Sequence, residues 1–128
     1  MFGLSPATRV FVAVDPIDMR KGFDGLFGLV RDFLGEDPLS GHLFLFTNRQ
    51  QTRLKLLVFD GSGLWVCAKR LEKGRFAWPV THPGQSRITL RPGELALLLN
   101  GIDLTQTKPR PWFRGLAATL NNQENGGL

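Results

Sequence analysis

The chain opens on a β pattern and then changes period. Residues 9–14 are β-branched and alternating, which predicts a first strand. Further on, Met19, Phe23, Leu26, Phe27, Val30, Phe33 and Leu34 recur at helical spacing, while Arg20, Lys21, Asp24, Arg31 and Asp32 fall mainly elsewhere. Asp15 is placed to cap this helix and Pro16 to occupy its first position, where the missing N–H is no loss; Asp18 adds favourable charge to the first turn. Gly35 closes it. The pattern therefore predicts one long amphipathic helix with a buried face and a wet one. Gly22, Gly25 and Gly28 fall inside it, each costing up to about 1 kcal/mol relative to alanine. Tight packing of the helix on a sheet is the simplest compensation, and docking of a partner along the glycine stripe is the other.

Three short apolar runs follow, at residues 42–47, 53–60 and 64–70. The polar stretch 48–52 and the Gly61-Ser62-Gly63 turn after Asp60 separate them, so the region reads as an antiparallel meander. Residues 72–85 carry Gly74, Pro79, Pro83 and Gly84, which predicts a long surface loop. A strand resumes at 86–90, and residues 92–99 form a short helix that Asn100 and Gly101 end. Beyond Leu104 the pattern fades. The fold expected is a small α+β domain over residues 1–105: a mainly antiparallel sheet of about five strands, the long helix packed on it and a short C-terminal helix. Residues 106–128 form a flexible tail, in which Trp112, Phe113, Leu116 and Leu120 are spaced to order as a short helix against a partner.

Composition adds a core and removes several function classes. The chain has 128 residues, 42% of them hydrophobic, and ten phenylalanines, enough for one packed domain without staples. One cysteine, Cys67, excludes an intramolecular disulfide and any Cys-x-x-Cys metal site; between Val66 and Ala68 it reads as a small buried hydrophobe. No apolar run approaches the roughly 20 residues of a membrane span, and the first residues do not read as a secretory signal, so a cytoplasmic protein is expected. The net charge of +5 is unevenly laid out: residues 1–37 hold four basic residues against six acidic, and the remainder twelve against five. The positive field belongs to the middle and C-terminal parts, where it attracts polyanions.

Catalytic sets do not assemble easily. His42 and His82 lie far apart with no motif around either. Asp15, Asp18, Asp24 and Asp60 are the candidate metal-holding acids, but helix-start and turn roles already account for Asp15, Asp18 and Asp60. No Walker-type loop or dinucleotide fingerprint is present, so no cofactor, metal or catalytic residue is assigned. What remains is basic and aromatic. Arg49, Arg53 and Lys55 flank the first hairpin, and Lys69, Arg70, Lys73 and Arg75 lead to Phe76 and Trp78. Such cations grip phosphates, and interleaved aromatics stack on bases or contact a partner; the alternative is that Phe76 and Trp78 are anchors of the core or loop.

The run Asp18, Met19, Arg20, Lys21, Gly22, Phe23, Asp24, Gly25 and Leu26 resembles the hallmark of the TnpB-type accessory proteins encoded by the second reading frame of IS66 insertion sequences. The likeness continues through Phe44, Leu45, Phe46, Asn48 and Arg49, through Arg53, Lys55, Leu56 and Leu57, and through Asp60, Gly61, Gly63 and Leu64. It ends with Lys69, Arg70, Leu71, Glu72, Gly74, Phe76, Trp78 and Pro79, so that it spans residues 3–104. The resemblance implies participation in transposition beside a separate, larger transposase that carries the catalytic acids. Where that family is usually richer in arginine, Gln50, Gln51 and Thr52 stand here, which moves the expected phosphate contacts to the downstream cluster.

The function expected is that of a non-catalytic accessory protein whose partners are DNA and the element-encoded transposase. Lys69, Arg70, Lys73 and Arg75 are the foremost phosphate contacts, Arg49, Arg53 and Lys55 supporting ones, and Arg20 and Lys21 secondary. Two rival readings stand beside it: a module that docks on the transposase without touching DNA, and a metal-dependent nuclease using Asp15, Asp18 and Asp60.

Overall fold

A computed structural model describes residues 6–79 and 83–101, apart from the Pro92 side chain. Strand β1 (Val10–Ala13) is followed by helix α1 (Phe23–Gly28), which runs on through Leu29–Leu34 with wider, i→i+5 winding. Then come β2 (Leu43–Thr47), β3 (Arg53–Phe59), β4 (Leu64–Arg70), β5 (Arg87–Leu90) and α2 (Pro92–Asn100). The five strands form one sheet in the order β4-β3-β2-β1-β5. β2, β3 and β4 make the antiparallel meander that the turn residues predicted, and β5 runs antiparallel to β1. β1 and β2 are parallel, because the chain between them crosses over through α1 instead of turning back in a hairpin.

Alternation along the strands feeds two cores. Phe11 and Ala13 of β1, Phe44 and Phe46 of β2 and Leu57 of β3 meet Leu26, Val30 and Leu34 of the α1 segment. On the other face Val10, Val12, Leu43, Leu45, Leu54, Leu56 and Val58 meet Phe76, Trp78, Leu95 and Leu98. β2 is buried at every position, so its sequence is a continuous apolar run without polar alternation. The molecule is thus layered as helix, sheet, then loop with α2.

The first helix is shorter than its periodicity implied and does not start at Asp15. The Ile17 N–H donates to the Thr47 carbonyl, which ties this segment to the end of β2. The Asp18 carboxylate accepts the Arg20 N–H, and the Lys21 N–H donates to the Asp18 carbonyl, so the aspartate organises a turn in place of a helical one. The helix begins only after Gly22, which caps it without a side chain. Its wide C-terminal winding departs from a 3.6-residue repeat, and Phe33, in the apolar row by spacing, is 65% exposed.

Two more expectations are corrected. A methyl group built on Gly22 or Gly28 meets nothing within 4 Å, and one on Gly25 meets only the Lys21 side chain, so the glycine stripe does not mark close packing on the sheet. Residues 72–79 are not a free surface loop, because Phe76 and Trp78 carry the chain back over the sheet and are buried in it. The Trp78 indole N–H donates to the Ala13 carbonyl, so even its polar atom is used inside.

Where glycine is required is Gly101, which ends α2 with φ +78°; a Cβ there would sit 2.6 Å from Leu71 Cδ1 and 2.7 Å from the Arg75 carbonyl oxygen. At the other end of α2 the Glu94 carboxylate accepts the Arg91 backbone N–H at 3.0 Å, which fixes the first turn after Arg91. The domain boundary near residue 105 and the tail 106–128 lie outside the described residues.

Candidate nucleic-acid interface

The β2–β3 and β3–β4 turns decide where the cations emerge. Asn48 accepts the N–H groups of Thr52 and Arg53 on its side-chain oxygen and donates to the Thr52 hydroxyl, and Gln51 takes a left-handed φ of 61° to complete the turn. At the far end of β3, Asp60 Oδ1 accepts from the Ser62 and Gly63 N–H groups and the Ser62 hydroxyl, and Oδ2 accepts from the Trp65 indole at 2.7 Å. These donors, led by the Ser62 N–H, hold the Asp60 carboxyl far below the usual carboxylate range.

With both ends fixed, the ladder places Arg53 opposite Arg70 and Lys55 opposite Ala68. The Asp60 N–H donates to the Gly63 carbonyl and the Leu71 N–H to the Thr52 carbonyl, so the hydrogen-bonded pairs between them are Val58 with Trp65, Leu56 with Cys67 and Leu54 with Lys69. Arg53 and Arg70 therefore form a non-hydrogen-bonded pair, the arrangement in which opposed side chains stand closest, with Cα atoms about 4.5 Å apart. Two like charges held opposite one another disfavour the ladder by roughly 0.2–1 kcal/mol. Among the described residues Arg70 is paired only with Glu72, at 3.1 Å on an exposed surface, and Arg53 has no ion-pair partner.

Arg53, Lys55 and Arg70 share the α1 side of the sheet with Leu57, and line a depression of about 400 Å³ together with Met19. Lys55 donates through Nζ to the Lys21 carbonyl at 2.6 Å, which brings the turn that carries Arg20 and Lys21 alongside. Arg20 is itself held by Asp18 at 2.8 Å, with its side chain 91% exposed. This contact, chiefly the hydrogen bonds from the Arg20 side chain and then its backbone N–H, lowers the Asp18 carboxyl to about 2.

Strand alternation splits the downstream cluster, which sequence treated as one group. Arg70 faces the α1 side, while Lys69 faces the other and donates to the Leu99 carbonyl near the end of α2. Lys73 is exposed in the bend that follows and Arg75 directly after it, and Arg49 is exposed in the β2–β3 turn. Phe76 and Trp78, expected as stacking or partner contacts, are core residues whose rings are covered. Among the described residues the aromatics with exposed side chains are Phe23, Phe33 and Trp65.

The acids do not gather. Asp18 is engaged by Arg20 and Asp60 by its own turn, and no group of three or more His, Cys, Asp or Glu able to hold a metal ion exists among the described residues. His42 accepts the Arg9 N–H on Nδ1 and packs edge-on to Phe11, a structural role; His82 lies outside the described residues. Sequence reasoning missed Arg87, which donates to the Leu34 carbonyl, pairs with Glu36 at 2.7 Å and lies over the Phe11 ring. It pins β5 to the C-terminal end of the first helix, where a cation suits the free carbonyls. Nothing local in the sequence signals a partner fifty residues away.

No helix among the described residues is long and apolar enough to cross a membrane. The described residues thus form a small domain with a five-stranded sheet, a helix packed on one face and a basic strip at one end of β3 and β4. The model of the family described as IS66 Orf2 like protein matches residues 8–109, and the chain belongs to that family. That membership makes it an accessory protein of transposition. Two curated proteins of Sinorhizobium fredii (strain NBRC 101917 / NGR234) are similar to it. Uncharacterized protein y4jC is 38% identical over 111 residues, covering 87% of this chain and 93% of that protein. Uncharacterized protein y4hO is 42% identical over 95 residues, covering 74% and 81%. No solved structure matches the chain.

Proposed function

We propose that this accessory protein helps assemble the transposase–DNA complex without catalysing a step itself, and that it binds DNA phosphates through the strip formed by Arg53, Lys55 and Arg70. The observation that carries the reading is the opposed Arg53–Arg70 pair, flanked by Lys55, on an open part of the sheet. A phosphate seated between two guanidinium groups turns a like-charge repulsion into two charge-assisted hydrogen bonds, so the ligand relieves a strain the free protein carries. Arg20 and Lys21 border the same side and extend it. Cations of this kind contact phosphate oxygens, which carry no sequence information, so sequence-independent binding is the form the strip supports.

Fluorescence anisotropy of a labelled duplex, titrated with the full chain across a salt series, tests this. Binding is expected at low salt, with a log-log slope of about one unit per phosphate contact. No binding at low salt would overturn direct contact and leave docking on the transposase as the function, and that docking is read from copurification that survives nuclease treatment.

A further inference from the structure

The sheet has two outer strands, β4 and β5, and they differ in length: seven residues against four. β4 pairs with β3 at every position from Arg53–Arg70 to Phe59–Leu64, with no bulge and no proline. Since Trp65, Cys67 and Lys69 turn their N–H and C=O groups to β3, Leu64, Val66, Ala68 and Arg70 turn theirs outward. Such a straight row of donors and acceptors is a template for another strand.

The ends of this edge are opposite in charge. Its beginning carries the Asp60 carboxylate, and no cation stands between Asp60 and Ala68. Its end carries Lys69, Arg70 and Lys73 against the single Glu72. A second β4 laid parallel sets like ends together, whereas an antiparallel one sets the aspartate of each copy near the cations of the other.

We propose that two copies of this chain join edge to edge through antiparallel β4 strands, about a two-fold axis at Cys67, into one continuous sheet. In this register Leu64 meets Arg70 of the second copy and Val66 meets Ala68, so all four outward-facing residues form hydrogen-bonded pairs. Trp65, 40% exposed and fixed by Asp60, then lies across from the apolar Lys69 stem of the second copy, which can pack on the indole while the ammonium stays on the Leu99 carbonyl. Shifting the register by two residues in either direction leaves one outward residue of each copy unpaired. The pairing uses backbone at the strand edge, that of Arg70 included, and needs no side chain of the Arg53, Lys55 and Arg70 strip, so it stands or falls apart from the DNA reading.

Sedimentation equilibrium of the full chain, from micromolar to near-millimolar concentration, tests the proposal together with two variants and a cross-link. Wild type is expected to dimerise. Ala68→Pro removes an outward N–H without touching the β3 ladder and is expected to weaken the dimer by about tenfold or more while the circular dichroism stays native. Lys73→Glu, on an exposed bend, sets like charges at both ends of the pairing and is expected to weaken it several-fold, which keeps the test valid if the proline variant does not fold. Cys67 is the only cysteine. Paired across a non-hydrogen-bonded site its two copies are within disulfide reach, so oxidation by diamide is expected to give covalent dimers faster in wild type than in either variant. A monomer at every concentration, a dimer unchanged by both substitutions, or equal cross-linking rates would overturn the proposal. The second of these outcomes would point to β5 or the α1 face instead.

Discussion

The two faces of the sheet are finished differently. On the α2 side the loop through Phe76 and Trp78 and then α2 itself cover β1, β2 and β3, and Lys69 at the margin is tied to the Leu99 carbonyl. On the other side α1 and its continuation cover Phe11, Phe44, Phe46 and Leu57 but stop short of the β3–β4 end, where Arg53, Lys55 and Arg70 border open space. The difference runs along the strands: the α1 segment reaches β3 and β4 where it meets Leu57, Leu64 and Val66, and it leaves the end of these strands at Arg53 and Arg70 uncovered. The closed face supplies stability, and the uncovered corner of the other is where the proposed DNA contact falls.

Trp78→Ala breaks the closed face and carries the largest expected effect. It empties a buried aromatic site and removes the donor to the Ala13 carbonyl, so a loss of about 3–5 kcal/mol is expected in urea unfolding. A loss below about 1 kcal/mol would mean that the loop is a dispensable cover. In the surviving folded fraction the salt slope of DNA binding should not change, since the indole contacts no phosphate. A selective loss of DNA binding at unchanged stability would restore the stacking role expected of this tryptophan.

The open corner is broken by Arg53→Ala, Lys55→Ala and Arg70→Ala combined. The salt slope of DNA binding is expected to fall by about three units, with affinity down roughly ten- to a hundredfold at moderate salt. Lys69→Ala sharpens the contrast, because it removes an equal charge next to Arg70 in sequence but on the closed face. It is expected to alter stability slightly and the slope little. Equal slopes for Lys69→Ala and Arg70→Ala would show that binding responds to net charge and not to this strip.

The order of elements is largely legible in the sequence while the contrast between the faces is not, and the reason is physical. The meander, β5 and α2 follow from apolar runs, the Asp60 turn and the Pro92 and Gly101 boundaries, all of them local signals. The start of α1 was misread because the caps at Asp15 and Pro16 satisfy helix rules. The contact that overrides them, Ile17 to Thr47, spans thirty residues. The cations were found, but the group they form was not, since grouping needs the register: Lys69 and Arg70 are neighbours in sequence and point to opposite faces, while Arg53 and Arg70 meet across the ladder. For Phe76 and Trp78 the sequence leaves a stacking role and a core role both open, because the prolines and glycines around them mark a loop. A loop that crosses a sheet face still has to cover it.

The opposed arginines also make a prediction about the free protein. Arg53→Ala alone is expected to raise stability by about 0.2–1 kcal/mol while lowering DNA affinity, because it removes a like-charge contact that only a bound anion makes favourable. The gain should shrink at high salt, where the repulsion is screened. A destabilised Arg53→Ala protein would mean that the stem of this side chain matters more to packing than its charge does to repulsion.

The smallest effect separates the two ends of the β3–β4 hairpin by pH. The Asp60 and Asp18 carboxyls are both lowered from their ordinary value, Asp18 to about 2, by hydrogen bonds made only in the folded chain. A depressed folded pKa adds stability that is complete above the unfolded value, near 3.9, and is lost as pH falls through the folded one. Both groups are exposed, so the contribution is modest, but it has a definite sign. Asp60→Asn keeps an acceptor for the Ser62 and Gly63 N–H groups and removes the titration. Its thermal midpoint should therefore lie below that of wild type at pH 7 and approach it as the solution is acidified below pH ~4. A gap that stays constant from neutral to strongly acidic solution would mean that the turn depends on shape alone, and that the negative end of β4 contributes no charge to the edge.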